Sequence, residues 1–199
     1  MSSVSASSLI SEVARVQTWA EPDVASALEA SKSGDGMAFE RLYRWMAPQV
    51  TNFAAARGVE DAEGITNEVF LRVFGQIAKF EGDAPAFRAW VFVIARNQVI
   101  DAQRAAARRP RSADVDVPEL AVGSAESAAM ASIGSDRVRT LLGALSDDQR
   151  DVILLRSIAD LSLKQVAVVV DKPVSAVKAL QRRGLRRLQS EILSEVVHP

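Results

Sequence analysis

Residues 161–183 read LSLKQVAVVVDKPVSAVKALQRR, which contains two patterns of helical period with a short break between them. The first pattern carries one apolar stripe, formed by Leu163, Val166, Ala167 and Val170. The break is Asp171-Lys172-Pro173, because a proline disfavours the helical conformation at the residue before it. The stretch therefore predicts a helix-turn-helix.

The second pattern predicts a helix with one apolar and one basic face. The apolar face consists of Val177, Leu180, Gly184 and Leu188. No acidic residue occurs from Ser175 to Ser190, so the missing counter-charge on the basic face is most simply a phosphate. We expect this helix to lie in the major groove of DNA and to use Ser175, Ala176, Lys178, Ala179, Arg182, Arg183 and Arg186. The alternative is a basic helix that packs through its apolar stripe and is otherwise solvated.

The composition argues against several kinds of catalytic chemistry. The chain of 199 residues contains no cysteine, and its one histidine, His198, is next to the C-terminus. A cysteine nucleophile, a Ser-His pair, a disulfide and a histidine-bound metal are therefore not expected, and no cofactor is predicted. Residues 1–11 lack the basic and apolar segments of a signal peptide, and no window could span a bilayer. We expect a cytoplasmic protein.

The charge is distributed unevenly, although the net charge is only −1. Between Ser112 and Ser135 every charged residue is acidic, and arginines cluster just before this segment, at Arg104, Arg108, Arg109 and Arg111. The near-neutral total thus conceals two basic segments and an acidic connector. It argues against strong DNA binding by the chain alone.

The helical pattern divides the chain into two all-α domains. Helices are predicted at 61–79 and 86–109, with a loop at 82–85 between them. A segment rich in Ser, Ala, Pro and Gly follows, without a bulky apolar period, and is predicted to be a flexible linker. The predicted units are an N-terminal extension at 1–22, a first domain at 23–110, a linker at 111–135 and a helix-turn-helix domain at 136–195.

The predicted helix at 61–79 has a polar face with one large apolar residue in its middle, Leu71. The opposite arc is predicted to be core and contains Ile65, Val69, Phe70, Val73, Phe74 and Ile77. Flanked by Asn67, Glu68 and Arg72, Leu71 could be the centre of a docking patch. A solvated face is the alternative, since single exposed apolar residues are common.

The predicted helix at 86–109 changes character along its length. It begins with the aromatic residues Phe87 and Trp90 and ends with arginines. Aromatic side chains followed by arginines at helical spacing suit a surface on which unpaired bases stack and phosphates are held. Taken alone, however, the aromatic half is more simply explained as core, and the base-stacking surface is the alternative.

Several short motifs occur in a fixed order along the chain. They are AFERLY at 38–43, DAEGITNEVFL at 61–71, FEGD at 80–83, FRAW at 87–90, IARN at 94–97 and ID at 100–101. The helix-turn-helix and the segment LSDDQR at 145–150 complete the series. In this combination the chain resembles the extracytoplasmic-function (ECF) sigma factors of bacterial RNA polymerase.

The resemblance implies a role for each surface. The helix at 61–79 would dock on the clamp helices of the largest polymerase subunit through Asp61, Asn67, Glu68, Leu71 and Arg72. The loop at 82–86 and the helix after it would capture and melt the minus-ten promoter element. The residues implied there are Gly82, Asp83, Ala84, Phe87, Arg88, Trp90, Arg96, Asn97, Asp101, Arg104 and Arg108. The recognition helix at Ser175–Arg187 would read the minus-thirty-five element.

The partners implied by the resemblance are core RNA polymerase and promoter DNA. The polymerase contacts would be the clamp helices and the flap of the second-largest subunit, and no part of the chain would insert into a membrane. The resemblance leaves open whether an anti-sigma factor also binds. Neither catalysis nor a metal is implied.

The alternatives to a sigma factor are a stand-alone regulator and a helical enzyme. A stand-alone regulator would bind operator DNA through the helix-turn-helix without polymerase. A helical enzyme would need catalytic groups, and the carboxylates Asp61, Glu63 and Glu68 lack both a histidine or cysteine partner and a ligand spacing. A gel shift of duplex DNA by the chain alone separates a regulator from a sigma factor, which should need core polymerase.

Overall fold

The computed structural model describes residues 23–108 and 137–197, with side chains as far as Ser194. All regular structure in these two ranges is helical, which confirms the all-α prediction. The predicted extension at 1–22 and the predicted linker at 111–135 lie outside the described residues. The first domain contains α1 (Val24–Lys32), α2 (Gly36–Ala56), α3 (Ala62–Gln76), a 3₁₀ turn (Ile77–Lys79) and α4 (Ala84–Arg108). The second contains a helical segment at 137–143 (α5), α6 (Asp147–Ser157), α7 (Leu163–Val170) and α8 (Val174–Val197).

Short polar side chains start most of these helices by binding the free N–H groups of the first turn. In the first domain the caps are aspartates, at Asp23, Asp35 and Asp61. In the second domain, Ser146 with Gln149 and Ser162 with Gln165 form complete capping boxes, in which each side chain bonds to the other residue's backbone. The boundaries of α6 and α7 are therefore set locally.

The core of the first domain is built from aromatic and β-branched residues on the inner faces of α2, α3 and α4. Phe53 of α2 and Phe92 of α4 are fully buried and meet edge to face, with ring centroids 5.7 Å apart. Val69 and Val73 of α3 are buried beside them, as predicted. This packing fixes the outer faces of α3 and α4, which carry the predicted functional residues.

The break of the helix-turn-helix lies where the sequence predicts it, whereas the second helix starts at Val174 and continues past Arg187 to Val197. Helix α7 ends at Val170. Its C-cap, Asp171, adopts a left-handed conformation with φ 52°, and Lys172 N–H donates to the carbonyl of Ala167 at 3.0 Å. The apolar face of α8 packs inward through Val177, Leu180 and Leu188, and a Cβ at Gly184 would lie 2.6 Å from Ile153 Cδ1. Because this face is fully used by the core, the basic face must point away from it.

Two helix boundaries of the first domain differ by two or three residues from the approximate predicted ones. The helix predicted at 61–79 ends at Gln76, where Phe80 N–H returns to the Ile77 carbonyl at 3.0 Å and tightens the chain into a 3₁₀ turn. Helix α4 begins at Ala84 rather than at residue 86, because Asp83 Oδ1 accepts from the N–H of Ala86 at 2.8 Å and caps the first turn. The loop predicted at 82–86 is correspondingly shorter.

Phe74 was predicted to lie in the core and is instead 59 % exposed. Its ring meets Phe39 edge to face at 5.0 Å, outside the buried contact between α2 and α3. The helical wheel placed Phe74 on the inner arc, but in the structure α3 buries Phe70 and Val73 and leaves Phe74 exposed. Phe74 therefore extends the exposed apolar surface around Leu71.

Candidate nucleic-acid interface and docking face

The basic face of α8 (Ser175, Ala176, Lys178, Ala179, Arg182, Arg183, Arg186) is open to solvent at all of its charged positions. Ala176 and Ala179 are half-buried. Within the described part of the chain, these four basic side chains form no ion pair, whereas the neighbouring Arg187 pairs with Glu191 at 2.9 Å. The face therefore presents several guanidinium and ammonium groups of one sign to an external anion.

The start of α8 is suited to a close approach. Pro173 precedes the helix, and its carbonyl accepts from the N–H of Ala176 at 2.9 Å and of Val177 at 3.1 Å. Ser175 is exposed and both neighbouring side chains are small or short. A recognition helix meets base edges with its N-terminal residues, and at this end of α8 the side chains of Ser175 and Ala176 are small.

The α3 face (Asp61, Asn67, Glu68, Leu71, Arg72) is exposed as predicted, and Leu71 is 72 % exposed in its middle. Two of its polar residues are held by neighbouring helices. Asn67 Oδ1 accepts from the Tyr43 hydroxyl at 3.3 Å, and Glu68 Oε2 accepts from Gln98 Nε2 at 3.1 Å. Asp61 caps α3 through the N–H of Gly64 at 2.7 Å, which is a structural role. Sequence reasoning missed Phe74, one turn beyond Leu71.

An aromatic cluster supports the short loop before α4. Phe80 stacks on Trp90 with centroids 4.9 Å apart and meets Phe87 edge to face at 5.6 Å. A Cβ at Gly82 would lie 2.9 Å from Phe80 Cζ, so the close approach of the loop to this ring requires glycine. Asp83 is exposed next to it. The loop is therefore held against the first domain by packing.

Phe87 was predicted as a minus-ten contact and is fully buried, which corrects that prediction. Its position on the inner face of α4 turns the ring into the domain core, where no base can reach it. Trp90 is half-buried, and the guanidinium of Arg88 lies over the Trp45 ring at 4.8 Å. Of the predicted aromatic contacts, Trp90 alone keeps exposed surface.

The basic half of α4 divides into an open part and a covered part. The exposed residues are Asn97, Asp101, Arg104 and Arg108. Arg104 Nη1 lies 3.9 Å from Asp101 Oδ1. Arg96 is covered, because its Nε donates to Asp151 Oδ2 of the second domain at 2.7 Å. The predicted minus-ten residues are therefore not all accessible at once in this arrangement.

Asp151 is the centre of the contact between the domains. It is fully buried in α6, and its Oδ1 lies 3.1 Å from Arg57 Nε at the end of α2. Arg57 also donates to Asp147 at 3.1 Å and to Gln103 at 3.2 Å. Burial raises the pKa of Asp151, although Arg57 and Arg96 favour its charged form. Sequence reasoning did not single out Arg57 or Asp151; a carboxylate beside the apolar run at 152–155 was the available signal.

A second contact joins the domains near the loop. Gln165 Nε2 of α7 donates to the carbonyl of Pro85 at 2.7 Å, while its Oε1 completes the capping box of α7. Within residues 23–108 and 137–197, no helix has the length and apolar character needed to cross a bilayer. The same ranges hold no group of three or more acidic or histidine side chains able to bind a metal ion.

The fold and these surfaces define a helical protein of two domains, with an exposed basic helix face in the second and a separate exposed apolar patch in the first. Residues 39–109 match the family model of sigma-70 region 2, and residues 141–190 match that of sigma-70 region 4. The ECF RNA polymerase sigma factor SigC of Mycobacterium tuberculosis is 33 % identical over 166 residues, with 82 % of this chain and 88 % of SigC covered. SigD of the same species is 29 % identical over 170 residues, with 81 % of this chain and 80 % of SigD covered.

The chain therefore belongs to the ECF sigma factors of RNA polymerase. It is an alternative sigma factor, a transcription initiation factor that directs the polymerase to promoters, and the stand-alone regulator is not favoured. Among solved structures, CnrH in complex with the cytosolic domain of CnrY has the same fold, with a TM-score of 0.70 and 24 % identity. The similarity covers 87 % of this chain and 99 % of CnrH.

Proposed function

We propose that this sigma factor holds core RNA polymerase and promoter DNA through three separate surfaces. The first domain, at 23–110, binds polymerase and the minus-ten element, and the second, at 136–195, binds the minus-thirty-five element. The observation that carries the proposal is the basic face of α8, whose four exposed cations have no ion pair within the described residues. A linker at 111–135 joins the two domains in the complex.

The basic face of α8 reads the upstream promoter element. Lys178 and Arg182 are one turn apart and both exposed, so they can reach neighbouring base edges in the major groove. Arg183 and Arg186 lie further round the helix and are placed to hold phosphates. The small residues Ser175 and Ala176 let the backbone approach the groove.

The open part of α4 and the loop before it bind the minus-ten element. Gly82, Asp83 and Ala84 form the entrance, where a flipped base would be held, and Trp90 with Arg88 borders it. Asn97, Asp101, Arg104 and Arg108 continue along the same helix, and Arg96 joins them once it is uncovered. Energy for opening the duplex comes from binding the unstacked strand, without nucleotide hydrolysis.

Leu71 is the centre of the polymerase docking face, with Asn67, Glu68 and Arg72 around it. Phe74 enlarges the apolar part of this face, since it is exposed one turn away. The contact in polymerase is the pair of clamp helices of the largest subunit, and the second domain contacts the flap of the second-largest subunit. A protein that binds core RNA polymerase acts in the cytoplasm, where transcription takes place. An anti-sigma factor is a further candidate partner, since the sigma factor RpoE of Bartonella quintana, which is similar in fold, was solved in complex with the anti-sigma factor NepR.

The docking face is tested by one substitution with a matched control. Leu71→Glu should abolish co-purification with core polymerase, because a charge replaces the apolar centre of the contact. Leu193→Glu makes the same change at a leucine that is 58 % exposed on α8 and should leave co-purification intact. Circular dichroism checks that both variants are folded. Normal co-purification of the Leu71 variant would show that polymerase binds elsewhere.

A further inference from the structure

Two arginines of the first domain converge on one carboxylate of the second. Arg57 comes from the end of α2 and Arg96 from the middle of α4, and they hold Asp151 at 3.1 Å and 2.7 Å. Arg57 is fixed in turn by Gln103, whose Nε2 donates to the Arg57 carbonyl at 2.6 Å. The Arg57 guanidinium is also held from the first domain's side, since its Nη2 donates to Gln103 Oε1 at 3.2 Å.

Stability alone is a poor explanation for these buried charges. Arg57 and Asp151 are almost completely removed from solvent, and Asp151 Oδ1 has no partner of hydrogen-bond geometry among the described residues. The cost of removing two charges from water often exceeds the attraction between them, and an apolar contact of the same size would hold the domains at least as well. The raised pKa of Asp151 reflects that incomplete compensation.

The position of the site suggests what else could fill it. Arg96 lies on α4 next to the exposed Asn97, within the surface that we assign to promoter DNA. The contact from Gln165 to Pro85 covers the other end of the same surface. Guanidinium groups bind carboxylate and phosphate oxygens in the same way, so Asp151 occupies the position that a backbone phosphate would take.

We propose that Arg57 and Arg96 form a phosphate site of the first domain, which Asp151 fills while the domains are in contact and nucleic acid fills when they separate. The second domain is then an intramolecular competitor of DNA at this site. The inference rests on the proposed function, since it deepens the assignment of α4 to promoter binding and adds Arg57 to it.

Separation of the domains can be followed with two dyes, because the chain has no cysteine of its own. Ala55→Cys and Ser190→Cys introduce labelling sites at exposed positions, one in each domain. Asp151→Asn removes the charge with almost no change of shape and should lower energy transfer between the dyes. The control is Asp148→Asn, which makes the same charge change on α6 at a residue that pairs with Lys172 of its own domain at 3.1 Å.

Binding is measured in the same full-length variants with a fluorescein-labelled oligo(dT) of about 12 nucleotides. Asp151→Asn should bind about tenfold more tightly than the unchanged chain, because two charge-assisted contacts become available. Adding Arg57→Gln should reverse the gain and reduce the salt dependence, by about 0.7 in the slope of log affinity against log salt for each phosphate lost.

A further variant opens the contact without altering any buried charge. Gln165→Glu keeps the acceptor of the α7 capping box but loses the donor to Pro85. It should also lower energy transfer and tighten oligo(dT) binding, even though its added negative charge opposes DNA.

Each contrary result overturns a defined part of the proposal. Equal tightening by Asp148→Asn would mean that net charge alone is responsible. Open domains without tighter binding, or tighter binding that survives Arg57→Gln, would show that the arginines are not a phosphate site. Unchanged energy transfer in both Asp151→Asn and Gln165→Glu would show that these contacts do not hold the domains together. None of these assays contains polymerase. Failure of the proposed function would therefore be seen in a different experiment, in which the unchanged chain does not co-purify with core polymerase.

Discussion

Phe87 and Trp90 stand one helical turn apart on α4, yet their surroundings differ. Phe87 is completely enclosed between the core and Phe80, whereas Trp90 stacks on Phe80 with part of its ring exposed. Because the Phe87 ring is buried and the Trp90 ring is partly exposed, only Trp90 can contact DNA. At the scale of single residues, we assign Phe87 to stability and Trp90 to the surface beside the loop.

Replacing each ring by alanine tests this division. Phe87→Ala should lower the free energy of unfolding by about 3–5 kcal/mol, the cost of removing a buried aromatic ring and leaving a cavity. Trp90→Ala should cost less, since part of its ring is already in contact with water. Urea denaturation followed by circular dichroism measures both. A Phe87 variant as stable as the unchanged chain would contradict the buried assignment.

Residues whose role depends on local sequence were predictable, and those that depend on neighbouring helices were not. Pro173 indicated the break in the helix-turn-helix, and Leu71 was recognised as exposed because its own helix is polar around it. Phe74 was misjudged because a helical wheel gives a direction and not the space that packed neighbours leave. Phe87 lies in the half of the helix that the pattern assigned mostly to the core, and only the family resemblance placed it among the DNA contacts. Arg57 and Asp151 are 94 positions apart in the sequence, and only the tertiary contact between them identifies either.

At the scale of elements, α8 has an apolar face that packs in the core and a basic face that is exposed. Its apolar face fixes the helix against α6, where Gly184 allows Ile153 to approach, and its basic face is left without partners among the described residues. This division predicts that charges on the basic face can be removed at little cost to the fold. Their effect should appear only when DNA is bound.

Lys178→Ala and Arg182→Ala should each weaken binding of the polymerase complex to promoter DNA, by about 1–3 kcal/mol for a true base contact. The loss should be confined to protection of the upstream element in a footprint. Arg187→Ala is the control, because Arg187 lies on the same helix but pairs with Glu191. Unchanged upstream protection in the first two variants, or an equal loss in the control, would remove the assignment of the recognition face.

At the scale of the whole molecule, the two surfaces that we propose bind DNA differ in accessibility while the domains are in contact. The basic face of α8 is open, whereas part of α4 is covered through Asp151 and Gln165 of the second domain. The chain alone therefore offers its upstream surface in full and the α4 surface only in part, and the near-neutral net charge of −1 adds little general attraction to DNA. Core polymerase would have to separate the domains and set the distance between them.

Transcription by purified core polymerase on a library of genomic fragments tests the central claim, that this chain is a specificity subunit, most directly. Discrete run-off products should appear only when both the chain and core polymerase are present, and the chain alone should not shift the same fragments at moderate salt. Leu71→Glu should remove the products. No promoter-specific product, together with sequence-selective binding of duplex DNA by the chain alone, would contradict the claim and restore the stand-alone regulator.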